Sequence, residues 1–418
     1  MIIPFTMTAE KPQRWAVPFL STLFAMLTLQ MSSLGFSPLL PAIQKDFGAS
    51  YSQIGLFTGL YGIVALAFSY PAGVLAKRFG EKVVLSAGLC IVAAGLFGLS
   101  LAPNFALGLS GRLLWLIGYR LAFVCVMTAI AITAPPLLRG SSMGVLGATS
   151  ALASVIGAPF GSTIGGTLGW RGGIAAFAAM AVAGALQFWL LYRSTEGPVE
   201  VAPGHGAGIG RLGGRPAYRI PMAWALALLL GCCNVGGFSS TFFVPAALRA
   251  KFGLNAQGAA YVISTAYMAG IVANLVCGYL IDRFNRWLIM GAMMALTIVS
   301  ALALTSSNLM VFRIAVTLLV ALGLAATNQI YGIAGDVLAG RDAGPVIGIV
   351  SLGAGVFGYV GPQMLGVLRD WSGGFNAGWY FLAFGATVTL VEIVVLHRSA
   401  RSIRNVKIGG AAASTNAF

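Results

Sequence analysis

The stretch that decides the fold is a charged segment between two long apolar runs, Gly73-Val-Leu-Ala-Lys-Arg-Phe-Gly-Glu-Lys-Val-Val-Leu85. A similar segment, Gly278-Tyr-Leu-Ile-Asp-Arg-Phe-Asn-Arg286, recurs in the second half of the chain. At the same offset Phe47-Gly48 falls on Phe252-Gly253. Unrelated segments would seldom share one register over so many positions, so the sequence predicts a duplicated helical unit.

The composition indicates that the outer surface of this helical unit contacts lipid and not water. The 418 residues are 58% hydrophobic and only 8% charged, against roughly 45–50% and 25% in soluble proteins. Such a chain cannot cover a folded surface with polar groups. The 56 glycines suit close helix–helix packing inside a bilayer. A soluble globular domain is therefore excluded.

The apolar runs give the number of spans, since a bilayer-crossing helix needs about 20 apolar residues. The twelve predicted spans are 15–40, 52–76, 83–102, 105–135, 141–168, 172–192, 219–246, 256–281, 286–305, 308–338, 344–368 and 376–397. The predicted fold is therefore an all-α integral membrane protein with two pseudo-symmetric six-helix bundles. The predicted segments are a tail (1–14), a bundle (15–192), a linker (193–218), a second bundle (219–398) and a second tail (399–418).

The positions of the basic residues predict the orientation. With both termini and the linker on one side, that side carries 17 Lys and Arg residues and the other side carries 5. The positive-inside rule then places both termini in the cytoplasm, in a bacterial-type inner membrane. Because the net charge of +15 lies mostly at span ends, it indicates a membrane protein and not a nucleic-acid partner.

Enzyme chemistry and cofactors are not expected. The five cysteines lie singly or adjacent in apolar runs, without a CxxC pair, and the two histidines lie outside the spans. Neither a metal site nor a Ser/His/Asp set can be built from them. No nucleotide-binding P-loop is present, so the energy for transport is expected to come from a proton or counter-solute gradient.

The charged segments resemble the loop signature of the major facilitator superfamily, G-x-L-x-D-R-x-G-R-K. The first copy matches it at Gly73, Leu75, Arg78, Gly80 and Lys82, and departs from it at Lys77 and Glu81. The second copy keeps Gly278, Asp282, Arg283 and Arg286, with Asn285 in place of glycine. The resemblance implies a transporter, expected to be monomeric, whose two halves rock about a site at the membrane midplane.

The resemblance also implies a latch at these loops. In such proteins the aspartate of the loop lies against a helix N-terminus of the opposite half. Asp282 is expected to do this at the start of the fifth span, Ser141-Ser142-Met143, where free N–H groups and the helix dipole attract an anion. Lys77 cannot act in this way, so a one-sided latch is predicted.

Three arginines interrupt apolar spans: Arg112, Arg120 and Arg313. A guanidinium inside the bilayer is costly and should face a partner or a water-filled cavity. Arg112 and Arg313 lie near the outer ends of equivalent spans, where an arginine can snorkel or pack structurally. Arg112 with Gly118 also resembles the fourth-span motif of the superfamily, and this resemblance implies a role in structure or coupling. Arg120 lies near the midplane, and no acidic residue occurs in any span of the first half. It is therefore either an anion-binding residue or bonded to backbone carbonyls or a distant aspartate.

The fifth span resembles the antiporter motif of the superfamily, with Gly157, Pro159 and Gly161 as its central residues. Glycine and proline at these positions predict a pliable helix that lies tightly against the other half.

Polar and aromatic residues in several spans are candidate cavity residues, although each could equally be a helix–helix contact. The predicted substrate-binding set is Arg120, Gln30, Ser33, Phe36, Asn234, Ser239, Tyr267, Asn328, Gln329 and Tyr331, which Tyr61 and Asn274 would extend.

Three functions remain open from the sequence. The first is a secondary active transporter for a small organic anion such as a carboxylate, which Arg120 favours. The second is a drug/proton antiporter, which the fifth-span glycines favour. The third is a membrane sensor or assembly protein built on a transporter scaffold. The expected partners are a small-molecule substrate, the lipid bilayer, and a proton or counter-solute.

Overall fold

The computed structural model describes residues 13–36, 39–49, 51–134, 136–192, 217–254, 256–337 and 343–415, and within these ranges the chain is helical and contains no strand. Its helices are α1 (Gln13–Gly35), α2 (Leu40–Phe47), α3 (Tyr51–Phe79), α4 (Glu81–Ser100), α5 (Phe105–Thr133), α6 (Arg139–Leu191), α7 (Pro221–Phe252), α8 (Ala256–Arg283), α9 (Arg286–Ala303), α10 (Leu309–Val337), α11 (Ala343–Ser372) and α12 (Asn376–Thr415). Most of the predicted linker, 193–218, and of the first tail, 1–14, lies outside the described residues.

These helices supply twelve membrane spans. Ten of the helices are long and apolar enough to cross a membrane. One of these ten, α6, has 53 residues and is interrupted at Gly169, whose φ is 72°. It therefore supplies two spans, 139–168 and 170–191, and α7 supplies the twelfth. The predicted fold class is confirmed.

The first predicted span, 15–40, needs a correction at its end. Helix α1 ends at Gly35, and Leu40 begins the separate short helix α2. A proline stands in the first turn of α2, where its missing N–H costs no helical hydrogen bond. In the second half the corresponding segment is the single helix α7. Gly48 and Gly253 end α2 and α7 with positive φ angles of 58° and 66°, so the duplicated Phe-Gly pair has the same structural role in both halves.

Within the first bundle, glycines bring α4 and α5 into backbone contact. A Cβ added at Gly118 would overlap the carbonyl oxygen of Gly88, and one added at Gly111 would overlap the backbone at Leu99. Asn104 caps α5, with its Oδ1 accepting a hydrogen bond from the backbone N–H of Leu107. The close packing on α4 fixes the rotation of α5, and with it the direction of Arg112 and Arg120.

The two bundles meet at one end, which we call the linker end: α3, α5, α8 and α10 finish there, and α6 and α11 begin there. Gly73 on α3 lies against Gly344 on α11, and Gly278 on α8 lies against Gly140 on α6. A Cβ at any of these glycines would overlap backbone of the other bundle. The bundles are therefore closed against each other at the linker end.

Candidate functional site

Arg120 lies in the middle of α5, with 2% of its surface exposed. Its guanidinium Cζ lies 4.9 Å from the ring centroid of Tyr61 and 5.6 Å from that of Phe123. These are cation–π distances. Its Nη2 is buried and has no hydrogen-bond partner in the described part of the chain. The mid-span arginine is thus held by aromatic rings and keeps a free donor.

Aromatic and polar side chains from both bundles complete this arrangement. Tyr119 donates a hydrogen bond to Oε1 of Gln30 on α1. The Tyr119 ring lies 6.0 Å from Tyr61 and 5.9 Å from Phe123, and Phe123 lies 6.1 Å from Tyr331 on α10. We call this group the Arg120 site; its residues are Gln30, Tyr61, Tyr119, Arg120, Phe123 and Tyr331.

Arg112 forms a second buried cluster, nearer the opposite end of α5. It is 6% exposed, and its Cζ lies 4.6 Å, 5.7 Å and 4.0 Å from the rings of Phe36, Phe57 and Trp115. Its Nε–H donates to the carbonyl of Phe57 at 3.4 Å, whereas its Nη1 is buried and has no partner among the described residues. Phe36 therefore belongs to the Arg112 cluster and not to the Arg120 site.

Asn328 and Gln329 lie at the contact between the bundles. Gln329 Nε2 donates to the carbonyl of Gly140 across the interface at 3.2 Å. Asn328 Nδ2 donates to Oδ1 of Asn274 at 3.0 Å, and both amides lie where a Cβ on Gly147 would overlap them. Gln329 is therefore placed to hold the closed end together, whereas the hydrogen bond from Asn328 to Asn274 lies within the second bundle. The place of both residues in a substrate site stays a prediction.

The remaining candidates are more scattered. Asn234 donates to the Leu230 carbonyl of its own helix at 3.0 Å. Ser33 and Tyr267 are half-buried, and the side chain of Ser239 lies outside the described residues. Arg313 is exposed at the start of α10, so it is not buried in a span as Arg112 and Arg120 are.

The loop-motif residues lie at the linker end. Asp282 accepts hydrogen bonds from the backbone N–H groups of Gly140 and Ser141, each at 2.7 Å. This is the contact expected at the start of the fifth span. Gly80 has a φ of 83°, which favours glycine in the turn between α3 and α4. Lys77 is exposed.

The other basic residues of the motif lie at the surface or stack on rings. Arg78 and Arg283 lie over the rings of Phe79 and Tyr279, both at 5.2 Å, and Lys82 lies over Trp189 at 5.0 Å. Arg286, the first residue of α9, is partly exposed.

The fifth-span glycines do not lie where the sequence suggested. Gly157 packs against Met31, and a Cβ on Gly161 would overlap the carbonyl of Gly35, so both face α1 of the same bundle. Pro159 is exposed. The glycines of α6 that do contact the other bundle are Gly140, Gly144 and Gly147. Residues 157 and 161 are one helical turn apart and share the face towards α1.

Sequence reasoning missed Tyr119 and Phe123, which flank Arg120 on α5. Phe123 is three residues after Arg120 and so shares its helix face. The same spacing places Trp115 beside Arg112. An aromatic residue at i+3 from a mid-span arginine was the available signal.

The sequence profile of the Major Facilitator Superfamily matches residues 19–246 and 226–415. A putative tartrate transporter from Agrobacterium vitis is 22% identical, over 92% of this chain and 93% of its own length. A hexuronate transporter from Bacillus subtilis is 23% identical, over 83% of this chain and 86% of its own.

Among solved structures, FucP, the E. coli fucose:proton symporter, in its outward conformation shares the fold. It is 18% identical, with a TM-score of 0.76 over 91% of this chain and 99% of that chain. The profile matches each half of the chain separately, in agreement with the duplicated loops and the two bundles. The chain therefore belongs to the Major Facilitator Superfamily and is a multi-pass membrane transporter.

Proposed function

We propose that this transporter carries a small organic anion, such as a carboxylate, and that Arg120 binds the anionic group. The observation that carries the proposal is the Arg120 guanidinium, which is buried among aromatic rings with Nη2 lacking an acceptor in the described residues. A guanidinium presents parallel N–H donors that match a carboxylate. Because a buried cation without a counter-charge is costly, a bound anion stabilises this site.

The neighbours of Arg120 suit a hydroxylated substrate. Gln30 and Tyr119 are hydrogen-bonded to each other beside the guanidinium. Tyr331 of the second bundle packs its ring on Phe123, and its hydroxyl is hydrogen-bonded to Ser351 Oγ at 3.2 Å. Tartrate and hexuronate, which name two of the relatives, are hydroxylated carboxylates. Since both bundles contribute side chains, a rocking motion would expose the site to each side of the membrane in turn, coupled to a proton or a counter-solute.

A drug/proton antiporter is the second candidate, favoured by the glycine-rich fifth span. The contacts of Gly157 and Gly161 with α1 account for these glycines by packing within one bundle. A proton-coupled exporter of cations usually needs a membrane-embedded carboxylate. No span of the first half, which supplies Arg120, contains an acidic residue, and Glu392 lies on α12 in the second half. These observations favour an anion transporter over a drug/proton antiporter.

A thermal-shift panel on the purified protein tests the proposal. A ligand at 100 times its dissociation constant adds about 2.7 kcal/mol of apparent stability. We expect small hydroxylated carboxylates to stabilise the wild type and Arg313→Gln, whose arginine is exposed, but not Arg120→Gln. Stabilisation by lipophilic cations that is unaffected by Arg120→Gln would contradict the proposal and favour the exporter.

A transport assay distinguishes a transporter from a protein that only binds the anion. Counterflow of the stabilising carboxylate in proteoliposomes is expected for the wild type and is expected to be lost in Arg120→Gln. Binding without flux in the wild type would instead favour a sensor on a transporter scaffold.

A further inference from the structure

Helix α5 carries a second guanidinium with an unused donor. Arg112 and Arg120 are 6% and 2% exposed, and Nη1 of the first and Nη2 of the second are buried without a hydrogen-bond partner among the described residues. Eight residues separate them, which is about 12 Å along a helix axis. Two buried donors of the same kind thus lie on one helix.

The two clusters are continuous with each other. Tyr119 follows Arg112 by seven residues, about two helical turns, and so lies on the same side of α5. The Tyr61 ring lies 4.9 Å from the Arg120 Cζ and 6.0 Å from the Tyr119 ring. Phe57, which contacts Arg112, is one helical turn before Tyr61 on α3. The two tyrosines therefore lie alongside the stretch of α5 that joins the arginines.

Neither arginine forms an ion pair within the part of the chain that the structure describes. No span of the first half contains an aspartate or glutamate. Asp46 pairs with Arg171 at the far end of the bundle. A substrate with one negative charge at Arg120 would leave Arg112 buried and unneutralised, which is unfavourable in the interior of a bilayer.

We propose that Arg112 and Arg120 together hold one substrate that carries two anionic groups, one at each guanidinium. Tyr61 and Tyr119 flank the part of the substrate that joins the two groups. This inference rests on the proposed function and narrows the substrate class to dianions. A purely structural role for Arg112 explains its Nε–H bond to Phe57 and its ring contacts, but leaves the buried Nη1 without a purpose.

The test compares dianions with monoanions of the same shape. Succinate and glutarate are titrated calorimetrically into the full-length protein in lipid nanodiscs, beside their monoamides succinamate and glutaramate. Each pair differs by one charge. We expect at least one dianion to bind the wild type more tightly than its monoamide by about tenfold or more, as a charge-assisted hydrogen bond implies.

Three variants assign the difference to a residue. In Arg112→Gln the ratio of the two dissociation constants should fall towards one. Arg120→Gln should weaken both members of each pair, and Arg313→Gln should keep the wild-type ratio. Should Arg112→Gln fail to fold, Arg112→Lys keeps the charge without the planar fork, and its ratio should lie below that of the wild type.

The inference fails if neither dianion binds the wild type more tightly than its monoamide, or if the ratio survives both Arg112 substitutions. If only the monoamides bind, and their binding depends on Arg120, the proposed function still holds but the two-arginine site is wrong. Failure of every anion to bind through Arg120 would remove both.

Discussion

Asp282 joins the two bundles at the linker end through two backbone N–H groups of α6, those of Gly140 and Ser141. N–H groups in the first turn of a helix lack helical acceptors, and the helix dipole favours a negative charge there. In the first half the equivalent position is Lys77, which cannot accept a hydrogen bond. The carboxylate of Asp282 therefore has no counterpart at the equivalent motif position of the first half.

Asp282→Asn removes the charge while keeping the size of the side chain. We expect the closed linker end to lose about 1–2 kcal/mol relative to the open one, because one acceptor becomes a donor and the charge–dipole term disappears. Spin labels at positions 79 and 284 report the distance between the two bundles at the linker end. Position 79 ends α3, position 284 follows α8, and both are exposed. The population at longer distance should grow roughly tenfold.

The matched control for this variant is Asp370→Asn, because Asp370 is exposed at the opposite end of α11. It should leave the distance distribution unchanged. An Asp282→Asn distribution that matches the wild type would mean that the carboxylate does not hold the linker end closed.

The sequence could single out Arg120 but not its surroundings. An arginine near the middle of an apolar span is visible without a structure, because its cost in lipid is independent of the neighbours. Tyr119 and Phe123 escaped notice because α5 is apolar on every side, so periodicity does not show which face looks inward. Gln329 and Tyr331 lie on one helix, yet only Tyr331 is near Arg120, since residues two apart point in different directions.

At the scale of helices, glycines serve two kinds of contact that look alike in the sequence. Gly73 on α3 touches Gly344 of the other bundle, whereas Gly161 on α6 touches Gly35 of its own bundle. An added Cβ would overlap a carbonyl oxygen in both cases. The first contact must break whenever the bundles rock apart, while the second remains in every conformation.

Gly73→Ala should therefore change the conformation more than the fold. The added methyl group overpacks the closed interface, which costs about 1–3 kcal/mol, and the bundles can relieve it by opening at the linker end. We expect the same spin-label pair to report a larger separation. Gly98→Ala on α4 is the control, because a Cβ there would lie 3.9 Å from the Cα of Gly111, at ordinary van der Waals distance. An unchanged distribution in Gly73→Ala would argue against a tight α3–α11 contact.

Gly161→Ala should instead lower stability. The α1–α6 contact lies within one bundle, so no rocking motion removes the overlap, and about 1–3 kcal/mol of folding free energy should be lost. Thermal unfolding in detergent should show a lower midpoint than for Gly98→Ala, with an unchanged spin-label distribution at low temperature. A conformational shift with normal stability would instead place Gly161 at a moving interface.

The helices were predictable to the extent that length and hydropathy determine them. Twelve apolar runs gave twelve spans because lipid demands them at a fixed length. The break between α1 and α2 was missed because apolar residues continue through Leu39 and Leu40. Where one span ends and a short surface helix begins depends on a proline in the first turn of α2 and on tertiary contacts, which hydropathy does not measure.

At the scale of the whole molecule, the two sides of the closed interface differ in chemistry. The α6–α8–α10 side has polar contacts, with Asp282 and Gln329 both bonded to Gly140. On the α3–α11 side, Gly73 and Gly348 lie against backbone atoms of the facing helix. Polar contacts are lost abruptly as groups separate, whereas packed small residues can slide. We therefore expect the α6–α8 side to set the stability of the closed state.

The orientation of this asymmetric interface follows from the charge distribution. By position in the sequence, 17 of the 25 Lys and Arg residues fall on the side predicted for the termini and the linker. The opposite end holds Lys45, Arg171, Arg249, Lys251 and Arg369, joined by the exposed Arg313. Positive charge is retained in the cytoplasm during insertion, so the closed linker end should be cytoplasmic. The conformation described here is then outward-facing, and opening the linker end would give the inward-facing state.

Reporter fusions in a bacterial host test this orientation. A fluorescent protein that matures only in the cytoplasm, fused after the last residue, should fluoresce, whereas alkaline phosphatase at the same place should be inactive. Phosphatase fused after Gly374, in the turn between α11 and α12, should be active because that turn lies at the opposite end. The reverse pattern would overturn this orientation. Asp282 would then help to close the outer side of the transporter, and the conformation described here would be inward-facing.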